Sequence, residues 1–564
     1  MVRPADYPPP FRASEFITAP TDPVEDRIEV GVLVVGAGPA GLACAIRFGQ
    51  LLAEDPETAE RLGDVPLAVL EKGRQPGSHL LSGAVVKPRA FERLFGGRVR
   101  VDDLPGYGRV PRESVYVLTR RRALPIPPPP TMRNHGNVIV SLSQLGRWLA
   151  DQAEAGGAMV LPETAATHLL VADGAVVGVR SGDKGRGPAG DQLSNFEPGN
   201  DIVARVTVLA EGTQGHLTGV ALDHFDLHGR EPQVWELAVK EVWKVAKPLD
   251  RVIHTMGWPL RPQARFREFG GSFIYPMGDD MLTIGMVVGL DYRDVELSPH
   301  DLLQELKTHP KIGPLLEGGE RLEWGAKTIP GGGLHALPSR FHAPGLLLCG
   351  DGPGFVNVPT LKGIDYAIES GLLAAEAAFA AVGAGSDPAS ALAGYDEAIR
   401  SSFIWNDLRQ VRDMRAVFGR GFFVGAACAG AMTVSRGRIT MGKLRTTPDA
   451  TQPLLRTDRA AHYPAADGKL TFDKLSSVFA AGNKTRDDQP SHIRIQTRVP
   501  RDVAQMWVHL CPAKVYTAAD DDSDDGLVTV ETEPSNCVQC GAITAKGGRL
   551  TPPEGGSGPE YTQT

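Results

Sequence analysis

The sequence predicts a mixed α/β protein whose amino-terminal part is a Rossmann-type dinucleotide-binding domain. An apolar, β-branched run at residues 30–35 leads directly into a glycine-rich turn and an alanine-rich helix. A second apolar run at residues 67–70 ends in an acidic residue, and three of the six cysteines gather near the carboxyl end. A βαβ nucleotide-binding unit at the start and a metal-binding domain at the end are therefore expected.

Length and charge restrict the class of protein. A chain of 564 residues exceeds one hydrophobic core, so two or three domains are expected. The net charge of -8 provides no broad basic surface, which argues against a nucleic-acid partner. Residues 1–27 lack the apolar core of a secretory signal, and no run of 18 apolar residues occurs. An intracellular protein that does not span a bilayer is expected.

The first motif is Gly36-x-Gly38-x-x-Gly41, placed between the first strand and its helix. Glycines there let backbone N–H groups and the helix N-terminus approach a pyrophosphate that a Cβ would block. Glu71, at the end of the second strand, is the expected acceptor for the adenosine ribose hydroxyls. It follows Gly41 by 30 residues, and a polar insertion at 54–64 accounts for the long spacing. A purely structural glycine cluster is the alternative, which the coinciding strands, helix and acidic residue disfavour.

Two later segments favour FAD over NAD as the nucleotide. Apolar strands end in Glu211-Gly212 and in Gly350-Asp351, as in flavoproteins that close around the cofactor with two motifs. Either segment alone is also consistent with an ordinary strand end. A second glycine fingerprint does not follow any strand, since Gly383-Ala384-Gly385 comes after a helix. We therefore expect no NAD(P)H-binding domain.

The order of these segments resembles electron transfer flavoprotein-ubiquinone oxidoreductases from the fingerprint to the last residues. Similar segments include Leu81-Ser82-Gly83-Ala84, His135-Gly136-Asn137, Gly257-Trp258-Pro259-Leu260, Gly270-Gly271-Ser272-Phe273, Gly289-Leu290-Asp291-Tyr292, Pro353-Gly354-Phe355-x-Asn357, Ser476-Ser477-Val478, Asp488-Gln489-Pro490-Ser491-His492, Cys511-Pro512-Ala513 and Pro553-Glu554-Gly555-Gly556. The resemblance implies FAD, one 4Fe-4S cluster and a quinone pocket. The implied partners are reduced electron transfer flavoprotein as donor and ubiquinone or menaquinone as acceptor.

The resemblance also implies a domain plan and further site residues. A two-motif FAD domain would comprise 28–104, 137–216 and 326–400, interleaved with a β-rich quinone or substrate domain at 105–136 and 217–325. A carboxyl-terminal region at 401–564 would hold a membrane contact and a ferredoxin-like iron–sulfur domain. Further residues expected to contact FAD are Ser82, Gly83, Gly354 and Asn357. Gly270 and Gly271 would offer backbone groups to the quinone head, with a strand bulge as the alternative.

Simple redox chemistry agrees with this combination of cofactors. A quinone takes up two electrons, whereas the donor flavoprotein delivers one at a time. FAD stores one or two electrons and an iron–sulfur centre relays single ones. A chain that holds both groups is suited to converting one-electron delivery into two-electron output.

The carboxyl-terminal cysteines depart from the family pattern. Members carry one cysteine in Cys-Pro-Ala and three in Cys-x2-Cys-x2-Cys; this chain has Cys511, Cys537 and Cys540, but Ile543 at the last position. Three outcomes stay open: a four-iron cluster with one iron held by water or another group, a three-iron cluster, or loss of the metal. A structural zinc that uses His509 is a further alternative.

An apolar segment at 422–434 is flanked by Arg420, Arg436 and Arg438. Its 13 residues are too few to cross the hydrocarbon core, but such a segment can lie in the interface. A buried core helix is the alternative. The resemblance implies a monotopic contact beside the quinone entrance, on the cytoplasmic face of a bacterial inner membrane, with 90–95 as a second contact.

Two other functions compete with this interpretation. One is a flavin-dependent reductase or oxidase of a small hydrophobic, isoprenoid-like substrate, with a degenerate metal domain. The missing fourth cysteine keeps this alternative open. The other is a non-catalytic, cluster-bearing interaction protein, which the intact FAD fingerprint opposes.

Overall fold

The computed structural model describes residues 2–21, 27–81, 85–383, 387–439, 444–519 and 526–564. Ser82 and Gly83, two of the residues expected to contact FAD, lie outside the described residues.

The strands, in chain order, are β1 Ile17–Thr18, β2 Arg27–Val35, β3 Leu67–Leu70, β4 Val85–Val86, β5 Gly106–Arg109, β6 Glu113–Leu118, β7 Ala123–Ile126, β8 Val138–Val140, β9 Met159–Leu161, β10 Ala166–Ala172, β11 Ala175–Ser181, β12 Lys184–Arg186, β13 Gln192–Glu197, β14 Asp201–Leu209, β15 Trp235–Lys244, β16 Val252–Gly257, β17 Gly270–Pro276, β18 Met281–Gly289, β19 Glu320–Pro330, β20 His342–Ala343, β21 Leu346–Leu348, β22 Ile493–Arg494, β23 Arg498–Pro500, β24 Tyr516–Ala518, β25 Leu527–Thr532 and β26 Arg549–Leu550.

The α-helices are α1 Pro39–Glu54, α2 Pro56–Arg61, α3 Arg89–Phe95, α4 Leu142–Ala155, α5 His216–His224, α6 Pro299–Lys307, α7 Gly313–Leu316, α8 Ile364–Val382, α9 Pro388–Ser401, α10 Phe403–Val411, α11 Met414–Val417, α12 Phe422–Val434, α13 Lys474–Ala480, α14 Arg501–Leu510 and α15 Ala542–Ala545. Short 3₁₀ turns form at Pro4–Asp6, Ala13–Phe16, Val101–Asp103, Pro130–Met132, Gly333–Ala336, Val358–Thr360, Phe418–Arg420, Asp449–Thr451, Arg459–His462 and Pro534–Asn536.

The first sheet has nine strands and contains the predicted βαβ unit. Its main order is β1-β10-β11-β14-β2-β3-β9; β21 joins β14, and β20 pairs with β21. Strand β2 pairs in parallel with both β3 and β14, and buried residues from Val30 to Val35 match the apolar pattern that predicted it. The polar insertion is not loop alone, because it forms α2, which the Asp55 side chain caps by accepting from Thr58 N at 3.2 Å.

Helices α1 and α8 pack closely against each other at this sheet. A Cβ added at Gly371 in α8 would stand 2.0 Å from the backbone oxygen of Ala40 in α1. Only glycine allows this approach. The largest apolar core is built around these helices, from side chains such as Phe48, Tyr366 and Ile368.

The second sheet has seven strands in the order β19-β15-β18-β17-β16-β6-β7. Its strands are antiparallel except for the parallel pair β16 and β6. Strands β6 and β7 belong to the first segment predicted for the β-rich domain, 105–136. Strands β15 to β18 belong to the second segment, 217–325. Strand β19 runs from Glu320 to Pro330 and so continues across the predicted boundary at 325.

The carboxyl-terminal region carries two small sheets, β23-β25-β24 and β22-β26, with α14 packed beside the first. The end of the chain then returns to the first domain. The backbone oxygen of Thr564 accepts from Ser143 N at 3.0 Å, and the hydroxyl of Tyr561 accepts from Ala326 N at 3.3 Å. The tail thus connects all three regions.

Helix α12 lies on the surface, which contradicts the buried-core alternative for this segment. Phe423 is 73% exposed and Val434 is 88% exposed, while Gly425 and Met432 face inward. Helix α3, by contrast, buries Phe91 and Leu94, so the expectation that 90–95 adds a membrane contact is wrong. Among the described residues, no helix is both long and apolar enough to cross a membrane.

Candidate functional site

A cavity of about 320 Å³, hereafter the large cavity, lies where the two sheets and the carboxyl-terminal region meet. Its walls come from the β2–α1 turn, the carboxyl ends of β3, β14 and β21, and one face of the second sheet. Ligands in open α/β sheets bind at the carboxyl ends of parallel strands, so this is the expected place for a nucleotide.

The three fingerprint glycines have different physical roles. Gly36 has φ +109, and a Cβ there would meet Ala210 O at 2.4 Å; a Cβ at Gly41 would meet Gly36 O at 2.0 Å. Both are therefore needed by the fold itself. Gly38 lines the large cavity, and a Cβ there would meet only Leu80 Cδ2 at 3.7 Å. The protein leaves space at Gly38, as a bound pyrophosphate requires.

Glu71 follows β3 and lines the large cavity, as predicted. Its Oε2 accepts from Ala37 N at 3.2 Å, within the fingerprint turn, and its Oε1 accepts from Gly73 N at 2.6 Å. Burial raises the pKa of the Glu71 carboxyl, and the Gly73 amide opposes the shift. Glu71 therefore holds the glycine turn in place as well as facing the cavity.

The acidic residues after β14 and β21 also line the large cavity. Glu211 caps α5, because its Oε2 accepts from Thr218 N at 2.6 Å and its Oε1 accepts from Leu217 N at 3.0 Å. Burial raises the pKa of Asp351 to about 6, with Lys327 acting in the opposite direction. Gly212 and Gly350 both adopt positive φ and line the cavity beside them.

Two residues implied by the resemblance do not line the large cavity. Gly354 has φ +99 and lies against Gln233. The Asn357 amide donates to the Tyr366 hydroxyl at 3.2 Å and accepts from Thr360 N at 3.2 Å. Their neighbours Val356 and Val358 form the wall instead. Gly354 and Asn357 thus shape the loop that carries the cavity wall.

Several buried polar atoms on the cavity wall have no hydrogen-bond partner among the described residues. They are both side-chain amide atoms of Gln214, Nδ1 of His79, Nδ1 of His216 and Oε2 of Glu236. Buried polar groups are nearly always hydrogen-bonded, so these atoms fit a cavity that a polar ligand fills. No sequence motif indicated Gln214, His79 or Glu236, because each becomes relevant only through its position on this wall. A flavin dinucleotide, with its phosphates, hydroxyls and ring nitrogens, fits such a lining.

Gly270 and Gly271, predicted to contact the quinone, begin β17 but do not line the large cavity. Phe273 and Tyr275 of the same strand do. β17 pairs with β18 in an unbroken register, so the bulge alternative does not apply here. A Cβ at Gly270 would meet Val287 O at 1.9 Å, and one at Gly271 would meet Thr255 O at 2.4 Å, so close strand packing already explains both glycines.

Cys511, Cys537 and Cys540 line one small cavity, hereafter the cysteine cavity, together with Ile543. Backbone amides point at the sulfurs: Ala513 N and Val515 N lie 3.4 Å from Cys511 Sγ, and Gln539 N lies 3.4 Å from Cys537 Sγ. Such bonds stabilise the thiolates that bind iron–sulfur clusters.

Ile543 is 4% exposed and stands on the same wall as the three cysteines. Three thiolates therefore fit a cluster, and the fourth ligand position is apolar. His509 is not part of this wall. Among the described residues, no three His, Cys, Asp or Glu side chains converge as a single metal ion requires.

The two cavities share a wall. Gly541 and Leu550 line both, and Thr328 N donates to the backbone oxygen of Cys540 at 2.8 Å. Thr328 itself lines the large cavity. Redox groups held in these two cavities would lie next to each other.

Solved structures share this fold. The chain is similar to a geranylgeranyl bacteriochlorophyll reductase-like protein from Thermoplasma acidophilum, with a TM-score of 0.55, 16% identity and coverage of 75% of this chain and 95% of that one. It is also similar to the flavin-dependent brominase Bmp2, with a TM-score of 0.50, 18% identity and coverage of 73% and 94%. These likenesses concern the fold alone. The fold and the two cavities define an FAD-dependent oxidoreductase with a carboxyl-terminal iron–sulfur domain.

Sequence comparisons specify the family. Residues 235–329 match the family model "ETF-QO, ubiquinone-binding", and residues 468–562 match "Electron transfer flavoprotein-ubiquinone oxidoreductase, 4Fe-4S". The mitochondrial electron transfer flavoprotein-ubiquinone oxidoreductase of Oryza sativa is 36% identical over 554 residues, covering 94% of this chain and 92% of its own; that of Rattus norvegicus is 35% identical, covering 94% and 89%. The chain belongs to the electron transfer flavoprotein-ubiquinone oxidoreductase family.

Proposed function

We propose that this protein takes electrons from reduced electron transfer flavoprotein and delivers them to a quinone, either ubiquinone or menaquinone. The main support for this proposal is the wall that the large cavity and the cysteine cavity share. FAD and an iron–sulfur cluster held there would supply two-electron and one-electron chemistry side by side. The fingerprint of a single Rossmann domain is consistent with a protein donor in place of NAD(P)H.

The residues that would hold FAD follow from the cavity wall. Gly38 leaves room for the pyrophosphate at the N-terminus of α1, and Glu71 offers carboxylate oxygens to the ribose. Gln214 and His79 provide unpartnered polar atoms, and Asp351 lies at the end of β21. The positive end of the α1 dipole favours the phosphate charge.

The apolar part of the large cavity supports a quinone site near the second sheet. Ala238, Phe273 and Val287 form one face there, and they belong to the segment that matches the ubiquinone-binding model. Gly270 and Gly271 begin the strand that carries Phe273. We infer that the quinone head approaches this face.

Cys511, Cys537 and Cys540 are the proposed cluster ligands. The backbone amides beside Cys511 and Cys537 support thiolates in this role. With Ile543 at the fourth position, we propose a cluster held by three cysteine thiolates only. The iron nearest Ile543 would then be labile or absent.

The exposed apolar face of α12 supports a monotopic membrane contact. Arg436 and Arg438 follow the helix, and arginines at the edge of an apolar face suit anionic headgroups. A long-tailed quinone is found in membranes, so such a contact would bring the protein to its acceptor. We propose the cytoplasmic face of a bacterial inner membrane.

The proposed function is tested by anaerobic rapid mixing of the FAD- and iron-loaded protein. Reduced electron transfer flavoprotein should bleach the FAD absorbance, and added short-chain ubiquinone should restore it. NADH and NADPH serve as control donors and should leave the spectrum unchanged. Rapid bleaching by NADH or NADPH, with none by reduced electron transfer flavoprotein, would overturn the proposal.

A further inference from the structure

Glu236, the second residue of β15, places a buried carboxyl on the wall of the large cavity. The residue is 1% exposed. Its Oε1 accepts from Arg415 Nε at 2.9 Å, whereas its Oε2 has no hydrogen-bond partner among the described residues. A buried, unpartnered carboxylate oxygen is costly unless it carries a proton or meets a ligand.

The sheet register puts Glu236 near the proposed quinone face. Glu236 pairs with Gly289 in β18, and two residues further along β15 Ala238 pairs with Val287. Side chains two residues apart on a strand share a face, so Glu236 lies on the same face as Ala238 and Val287. Ala238, two residues further along β15, faces the same cavity.

The other carboxyl groups on this wall lie in the FAD domain. Glu71 and Glu211 each accept two backbone amide hydrogen bonds. Asp351 belongs to the FAD domain, at the end of β21. Among the described residues, Glu236 is the one carboxyl group that the second sheet contributes to the cavity wall, on the same strand as Ala238 of the apolar face.

We propose that Glu236 is the proton donor to the quinone as the quinone is reduced. This inference rests on the proposed function for the identity of the acceptor. The quinone takes up two electrons, supplied by the bound redox groups, and two protons. One proton passes from the Glu236 carboxyl to a quinone oxygen, which leaves a carboxylate that Arg415 stabilises. Solvent water supplies the second proton and then reprotonates Glu236.

The charges around Glu236 suit a group that both loses and regains a proton. Its pKa is raised to about 7, chiefly by burial; Asp291 adds to the rise, and Arg415 opposes it. Arg415 is shared, because its Nη2 donates to Asp291 Oδ1 at 2.6 Å. Arg267 also binds Asp291, and Lys327 lines the cavity from the neighbouring strand β19. A carboxyl group whose pKa is raised toward neutrality can hold a proton and release it near neutral pH.

The test uses Glu236→Gln, which keeps an acceptor for Arg415 but has no acidic proton. The holoenzyme is reduced with dithionite, so the result does not depend on the electron donor. Reoxidation is followed with short-chain ubiquinone and with ferricenium, which accepts one electron and no proton. Glu323→Gln, a buried β19 carboxyl outside the cavity wall, is the matched control.

We expect Glu236→Gln to slow ubiquinone reduction on the order of 100-fold, with the ferricenium rate and FAD content unchanged. The wild-type ubiquinone rate should fall as pH rises through 7, and this pH dependence should vanish in Glu236→Gln. Glu236→Asp should restore part of the rate. An unchanged ubiquinone rate in Glu236→Gln, or an equal loss with both acceptors, would overturn the inference. If reduced electron transfer flavoprotein fails to reduce the FAD, the proposed function is contradicted. A selective loss of quinone reduction in Glu236→Gln would still support the role of Glu236.

Discussion

Lys72 Nζ donates to Oε1 of Gln539 at 2.6 Å, joining the residue after Glu71 to the loop between Cys537 and Cys540. Lys327 Nζ donates to the backbone oxygen of the same glutamine at 3.2 Å. Two ammonium groups therefore lie beside the cysteine loop and on the wall of the large cavity.

Lys72→Met should lower the midpoint potential of the iron–sulfur cluster. A reduced cluster carries one more negative charge, and removing a nearby ammonium destabilises that charge in a poorly solvated site. An EPR-monitored redox titration measures the shift. Lys484→Met, at an exposed lysine, should leave the potential unchanged. Equal potentials in Lys72→Met and wild type would show that the ammonium does not act on the cluster.

Gly38→Val should give a folded protein without FAD. The added side chain starts in open cavity space, so it competes with the pyrophosphate and not with the protein's own packing. Flavin absorbance after purification and the circular dichroism spectrum together separate cofactor loss from unfolding. Gly394→Val, in α9 with nothing within 4 Å of the added Cβ, should retain FAD. A yellow Gly38→Val protein with full flavin content would contradict the assignment.

Ile543→Cys should produce a stable four-iron cluster. The new thiol would join the wall that already holds Cys511, Cys537 and Cys540. Wild-type protein purified in air should show a three-iron EPR signal or little iron. Ala545→Cys, in the same helix but outside the cysteine cavity, is the control and should resemble wild type. If wild type contains a full four-iron cluster that survives air, the three-thiolate proposal is wrong.

Phe423→Asp should release the protein from liposomes. One fully buried aromatic contributes on the order of 1.5–3 kcal/mol by area, and a charge placed at the same point opposes insertion further. Co-sedimentation with vesicles that contain anionic lipid measures the bound fraction. Phe479→Asp is the matched control, because Phe479 is 89% exposed but lies on α13, away from α12 in the sequence. Equal release by both variants would show that α12 is not the specific contact.

Much of the nucleotide-binding unit could be predicted from the sequence because its signals are contiguous. Strand β2, the fingerprint glycines and α1 follow one another directly, and the apolar run before Glu71 forms β3 as expected. Strand and helix periodicity depends on near neighbours in the chain, so it can be read without knowing the fold. The same holds for the cysteine spacing and the Ile543 substitution.

Which segments are buried and which side chains contact each other could be learned only from the tertiary structure. The segments 90–95 and 422–434 were both expected to contact a membrane, yet the apolar side chains of α3 are buried and α12 is exposed, since each outcome depends on what packs against the helix. Glu236 accepts a hydrogen bond from Arg415, 179 residues away. The Lys72–Gln539 contact joins residues 467 positions apart. Local elements and ligand types could thus be predicted from neighbouring residues, whereas the choice of which side chains meet depended on the fold, because those contacts form between segments that are distant in the chain.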